Sequence, residues 1–253
     1  MTASTPPVSP ATQFFEILAQ LEAHLLYYQQ LGGEGLPRCT SPTDRPQQEQ
    51  ERSSLDSLWE TLQGCQRCKL HQGRTHIVFG EGNPAADLVF IGEAPGYYED
   101  QQGIPFVGEA GSLLTRIIEA IGLRRDEVYI TNVVKCRPPQ NRDPEPEEIA
   151  TCQPFLRQQI ELIQPNIICA LGRFAAQTLL NTSMPISKLR GQFYEYHGIP
   201  LMPTYHPAYL LRNPGDKRLV WHDMQMVQQR YQALQRRKAV STSPAGSPVC
   251  PDT

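Results

Sequence analysis

Four cysteines in two pairs are the residues best equipped for chemistry in this chain: Cys65-x2-Cys68, and Cys136-x15-Cys152. Four thiolates hold a zinc ion tetrahedrally or supply every ligand of an iron–sulfur cluster. A zinc ribbon closes on a second Cys-x2-Cys at short separation, whereas here 67 residues part the pairs and the second gap is fifteen. Distant parts of the fold must converge on a larger centre, which favours a cluster over zinc. Cys65 and Cys68 lie among Gln63, Gln66, Arg67 and Lys69, a polar setting unlike that of an ordinary buried thiol. Of the other three cysteines, Cys169 falls in the apolar run 166–171 and reads as core, while Cys39 and Cys250 sit in Pro/Ser-rich segments.

Between and beyond the pairs stand groups suited to a planar polar ring. Gly92-Glu93-Ala94-Pro95-Gly96 makes a tight turn that brings backbone N–H groups and the Glu93 carboxylate to one edge. It is not a phosphate loop, because neither Gly-x-Gly-x-x-Gly nor Gly-Lys-Ser/Thr is present. Glu99 and Asp100 follow, and their plain reading is a solvated loop. Phe106, within Gly103-Ile104-Pro105-Phe106-Val107-Gly108, offers a stacking wall. Asn132, in Thr131-Asn132-Val133-Val134-Lys135, offers a donor and an acceptor to a pyrimidine edge. His206, in Thr204-Tyr205-His206-Pro207-Ala208, offers a donor to a developing anion.

The elements that must position these groups are legible as alternating apolar runs and helical patterns. Segments 87–92, 128–131, 166–172 and 201–204 read as strands. A helix with one apolar face spans 110–121 and ends at Gly122, where a left-handed cap fits. Asp143-Pro144 opens another, with Pro154 kinking or restarting it before 155–163. Helices over 172–180 and 216–236 complete the set. Apolar strands separated by helices imply an α/β fold with a parallel sheet covered on both faces, and such folds bind ligands beyond the carboxyl ends of their strands. The loops at Gly92 and Asn132 both follow strands directly.

The ends differ from this body. Residues 11–30 have helical apolar spacing, and 32–51 have linker composition. Three segments are expected: an N-terminal extension over 1–54, a folded domain over 55–237 and a disordered tail over 238–253. No apolar run approaches the roughly 18 residues needed to cross a bilayer, and no secretory signal opens the chain. Reduced thiols then point to the cytoplasm and to no membrane partner. The net charge of −3 argues against nucleic acid only until it is divided. Residues 1–64 carry 8 acids and 3 bases, leaving 18 acids and 20 bases for the rest. Arg67, Lys69, Arg74, Lys135, Arg137, Arg142, Lys188, Arg190, Arg212, Lys217 and Arg218 lie in or near motif and loop segments, compatible with contacts to a phosphate backbone.

From Cys65 to about residue 230 the chain resembles the type IV uracil-DNA glycosylases, the iron–sulfur branch of the uracil glycosylase superfamily. The resemblance rests on the cysteine spacing, Gly-Glu-Ala-Pro-Gly followed by Glu99-Asp100, Gly-x-Pro-Phe-Val-Gly, Thr-Asn-Val-Val-Lys-Cys-Arg-Pro-Pro and His-Pro-Ala. It implies a three-layer α/β/α sandwich with a four-stranded parallel sheet, and a [4Fe-4S] cluster on Cys65, Cys68, Cys136 and Cys152. It also implies a monomer acting on single- or double-stranded uracil-containing DNA, flipping out deoxyuridine and hydrolysing its N-glycosidic bond. Carried over, Phe106 stacks on uracil, Asn132 reads its Watson–Crick edge, and the backbone of Gly92, Glu93 and Ala94 meets the carbonyls. Packing near Glu99 or Tyr97-Tyr98 excludes the thymine methyl group. Glu93 and His206 become the catalytic pair, the first serving the water or the cationic sugar, the second the departing uracil anion. The N-terminal extension and the bulky Tyr97-Tyr98 depart from the family pattern. A sister group binds uracil-DNA irreversibly through an Arg-Arg-Ile-His-type loop that is absent here, so turnover is expected over binding without cleavage. A redox protein is the remaining alternative.

Overall fold

The computed structural model describes residues 54–241; the helix expected over 11–30, the linker over 32–51, Cys39 and Cys250 lie outside them. In chain order the elements are α1 (Leu55–Leu62), β1 (Glu81–Gly82), β2 (Leu88–Gly92), α2 (Tyr97–Gln102), α3 (Glu109–Ala120), β3 (Tyr129–Asn132) and α4 (Pro146–Ile163). Then come β4 (Ile167–Leu171), α5 (Arg173–Leu180), α6 (Ile186–Leu189), β5 (Tyr194–Tyr196), β6 (Ile199–Thr204), α7 (Pro207–Arg212) and α8 (Lys217–Ser241). The last helix runs through the first positions of the expected tail.

Successive side chains of a strand point to opposite faces. Along β2, Leu88 and Phe90 enter one apolar cluster while Val89 and Ile91 enter the other; along β4, Ile167, Cys169 and Leu171 alternate in the same way with Ile168 and Ala170. Strands apolar on both faces are stable only when both are covered. Leu114 and Ile118 of α3 and Val220, Met224 and Val227 of α8 cover the first face. Leu156, Ile160 and Ile163 of α4 and Ala175 and Leu179 of α5 cover the second, giving the expected three layers.

The sheet order is β1-β3-β2-β4-β6-β5. Its centre is the expected four-stranded parallel sheet, β3-β2-β4-β6, but antiparallel β1 and β5 add an edge strand on each side. These escaped the sequence because β1 has two residues and β5, Tyr-Glu-Tyr, only three, too few to show an alternating pattern. The β5–β6 hairpin turns through His197 and Gly198 at φ 48° and 83°, the pair of positive angles a tight two-residue hairpin requires. A second correction concerns Pro154, which neither breaks nor restarts its helix: α4 is continuous from Pro146 to Ile163. Proline forfeits one bond to the carbonyl four residues back. Burial of Phe155, Leu156, Ile160 and Ile163 beyond it holds the helix together. The helix also starts later than Asp143-Pro144, at Pro146, where Glu145 and Glu148 form a reciprocal cap.

The chain leaves β2 to one side for β3 and returns to the other for β4, so the crevice of such a sheet opens at the carboxyl end of β2. The end of β6 is fixed from beneath. Thr204 Oγ1 donates to Asp223 Oδ2 at 2.6 Å, and Arg190 donates to both Asp223 oxygens at 2.6 and 3.1 Å. Asp223 is fully buried, so removing it strands the Arg190 charge. Asp223→Ala should lower unfolding stability by about 3 kcal/mol in urea titration; a loss below about 1 kcal/mol would contradict this anchoring role.

Candidate active site

The floor of the crevice is a missing side chain. A Cβ on Gly92, the last residue of β2, would fall 2.6 Å from the Phe106 ring and closer still to Asn132 Oδ1. Asn132 ends β3 directly opposite Gly92. Past that pair, Val133 N–H donates to the Gly92 carbonyl at 2.9 Å and Val134 N–H to the Glu93 carbonyl at 3.1 Å, zipping the two loops together. Asn132 is 1% exposed, and its Oδ1 is the one buried side-chain nitrogen or oxygen without a hydrogen-bond partner among the described residues. Such an orphan costs about 1–3 kcal/mol unless a ligand satisfies it.

Phe106 is buried at φ 54°, a conformation a bulky residue adopts only when its surroundings impose it. The imposing group is Glu99: its Oε1 accepts from Val107 N–H at 3.0 Å and Gly108 N–H at 3.1 Å. Gly111 adds to this, since a side chain there would collide with the Phe106 carbonyl. Asp100, read from sequence as solvated, is buried and accepts from Thr75 N–H at 2.8 Å, tying the segment after the first cysteine pair to α2.

His206 caps α7, and its ring lies 5.5 Å from that of Phe106 at an angle of 30°. Its Nδ1 accepts from Ala208 N–H at 3.1 Å, which leaves the ring proton on Nε2. Desolvation, reinforced by Arg212, pushes its pKa down to about 4, so the imidazole is neutral at pH 7. Gly172 gives it room: a Cβ there would lie 2.9 Å from that of His206. Opposite, burial pushes Glu93 up to about 7, Asp143 adding to the shift and Arg173 opposing it. Asp143 and Arg173 pair with each other at 2.8 Å.

These groups surround one cleft of about 400 Å³ lined by Glu93, Ala94, Glu99, Phe106, Asn132 and His206, with Arg142, Asp143, Tyr209 and Arg212 around them. The loops after β2, β3 and β6 thus bring the sequence-predicted residues together. Glu99 lines the cleft but spends one oxygen on the Phe106 loop. Sequence reasoning missed Gly172, Asp143 and Arg173; the Gly-Arg step directly after β4 was the available signal.

The basic residues divide. Arg137 lies 5.0 Å over the exposed Tyr97 ring and bonds Asn141 at 2.7 Å. Lys135 and Arg190 are corrections to the expected phosphate contacts. Lys135 is fully buried, Arg190 is held by Asp223, and Arg142 makes a bidentate bond to buried Glu148 at 2.7 and 2.9 Å. Lys69 pairs with Glu145.

The four paired cysteines are free thiols, and Cys169 is buried in the core as expected. Arg74 donates to Cys136 Sγ and the Lys135 N–H to Cys152 Sγ, each at 3.3 Å. Cys136 feels the charges of Cys65 and Cys68, and Cys152 those of Cys136 and Cys68, so the four lie within electrostatic reach of one another. Among the described residues no three His, Cys, Asp or Glu side chains close around a single metal ion.

The family model of the uracil DNA glycosylase superfamily matches residues 79–234. The chain is 49% identical over 185 residues to the type-4 uracil-DNA glycosylase of Saccharolobus solfataricus, an alignment covering 70% of this chain and 86% of that protein. It is 48% identical over 175 residues to the type-4 enzyme of Thermotoga maritima, covering 68% and 91%. To the type-5 uracil-DNA glycosylase of Pyrobaculum aerophilum it is 30% identical over 151 residues, covering 53% and 66%. With its Gly92, Phe106, Asn132 and His206 gathered at the strand ends, the chain belongs to the uracil-DNA glycosylase superfamily, in its type-4 branch.

Proposed function

We propose that this protein hydrolyses the N-glycosidic bond of deoxyuridine in DNA, releasing uracil and leaving an abasic site. The carrying observation is the orphan Asn132 Oδ1, buried beside the Phe106 ring and facing a cleft that a neutral histidine also lines. An extruded uracil stacks on Phe106 and satisfies that acceptor with its N3–H. Cytosine has no N3–H to give, so the same atom discriminates between the two bases. Thymine is refused at its methyl group by the cleft wall at Gly96 and Glu99. Extrusion costs a few kcal/mol of stacking and pairing. Exposed Leu211, directly before the cleft residue Arg212, is placed to fill the gap left in the stack.

Bond cleavage separates charge: uracil leaves as an anion and the sugar becomes cationic. His206 donates from Nε2 to the anion without surrendering its proton, and a donor so aimed is worth roughly 3 kcal/mol. Ionised Glu93 stabilises the cationic sugar and orients the attacking water. All these groups come from one chain, which supports a monomeric enzyme. The catalytic domain is residues 55–237, with 1–54 and 238–253 appended.

A [4Fe-4S] cluster on Cys65, Cys68, Cys136 and Cys152 completes the reading. One observation supports it: two of the sulfurs receive N–H donors, as cluster thiolates do. When bound, the cluster fastens the segment at Cys65 to the loop at Cys136, and base removal needs no electron from it. A reducing compartment such as the cytoplasm suits cysteines that serve as cluster ligands.

Purified protein should convert a uracil-containing oligonucleotide to alkali-labile abasic sites without added metal; binding that leaves the DNA intact refutes the proposal. Because the ionised form of Glu93 is the active one, kcat/KM should rise with pH through about 7 and then level off. His206, at about 4, adds no falling limb above that range. A flat profile from about pH 5.5 to 8.5 would remove Glu93 from catalysis. The protein should be brown, absorbing near ~400 nm with about four irons per chain. Cys136→Ser should lose both the iron and the colour; a colourless wild-type protein carrying zinc would overturn the cluster.

A further inference from the structure

Among the described residues Lys135 is the largest buried charged side chain, and no carboxylate there pairs with it. It is 0% exposed, and its ammonium donates to Thr131 Oγ1 at 2.6 Å, the Asn132 carbonyl at 2.8 Å and Gln159 Oε1 at 2.5 Å. Three donors meet three neutral oxygens. Burying an ammonium in this way is costly, and a methionine of similar volume would be cheaper by the usual comparison of buried charge with apolar packing. The cost is met only if the three oxygens must be held.

One of those oxygens belongs to the backbone of Asn132, whose carboxamide stands opposite Gly92 with its Oδ1 unsatisfied. A second belongs to the preceding residue. The third comes from α4, where Gln159 also donates to the Phe79 carbonyl at 3.0 Å. The backbone of Lys135 faces the other way. Its N–H donates to Cys152 Sγ at 3.3 Å, and its carbonyl accepts from Val78 N–H at 2.8 Å. One residue therefore bonds the cysteine-bearing segments at one end and the carbonyl of Asn132 at the other.

We propose that Lys135 is a positioning residue for base recognition, registering the Asn132 carboxamide against the cysteine-lined framework. This rests on the uracil-reading role of Asn132 given above. Losing Lys135 frees the Asn132 carbonyl, lets the peptide rock, and blurs the aim of Oδ1 while leaving the DNA-facing surface unchanged.

The test measures direct binding to two oligonucleotides, one carrying a non-hydrolysable 2′-fluorinated deoxyuridine and one carrying thymidine at the same place. For Lys135→Met, with iron content and melting temperature recorded alongside, affinity for the thymidine strand should stay within about twofold of wild type. The preference for the uracil strand should fall about tenfold, the worth of one well-made hydrogen bond. Preserved preference in a folded, iron-replete Lys135→Met protein overturns the inference. Should that variant fail to fold, Thr131→Val decides. It removes one acceptor while keeping the strand's shape, and should cut the preference about threefold; an unchanged preference overturns the inference. A wild-type protein that leaves uracil-DNA uncleaved refutes the glycosylase reading itself, and this inference with it.

Discussion

The site depends on the absence of one side chain. Strand β2 ends at Gly92, and the space a Cβ would occupy there is shared by the Phe106 ring and the Asn132 carboxamide. Both are fixed by other bonds, the Phe106 loop by Glu99 and the Asn132 peptide by its register with β2 and by Lys135. Neither can retreat, because interiors are close-packed and transmit strain instead of absorbing it. The Phe106 ring and the Asn132 carboxamide therefore sit at a separation set by the absence of one methyl group.

The molecule carries unfavourable features at this one place: a phenylalanine with positive φ, an unpartnered buried oxygen, a carboxylate raised to about 7 and a histidine lowered to about 4. The first two each cost of order 1–3 kcal/mol. The doubly covered sheet beneath, with β2 and β4 wholly buried, provides the stability against which they stand. Desolvation produces both pKa shifts, and the two have complementary effects. Neutral His206 offers a hydrogen bond without an unwanted positive charge, and Glu93 is poised to carry negative charge near neutral pH.

Much of this was legible in the amino-acid sequence for definite reasons. Four strands announced themselves because each is apolar on both faces, and the loops at Gly92, Asn132 and His206 followed from lying directly after three of them. Individual side chains were harder. Glu93 and Glu99 are chemically alike and both line the cleft, and only the path of α2 decides that Glu99 also clamps the loop of Phe106. Lys135, a charged residue in a loop, reads as solvent-facing until Thr131, Asn132 and Gln159 are seen to enclose it. Pro154 reads as a kink or a restart, yet the buried apolar residues beyond it keep α4 continuous. Edge strands β1 and β5 carry too little periodicity to announce themselves. In each case the missing information is long-range contact, which local pattern does not encode.

The central claim is that uracil excision requires the close approach of Phe106 and Asn132 that Gly92 permits. Gly92→Ala adds only a methyl group, at a residue with ordinary backbone angles, so the fold and the iron content should survive. Its single-turnover rate on uracil-containing DNA, compared with wild type, is the direct measurement. The account predicts a loss of about a hundredfold or more, the scale of an ångström's misplacement at a reacting centre. A folded Gly92→Ala protein that releases uracil within about threefold of the wild-type rate would contradict it.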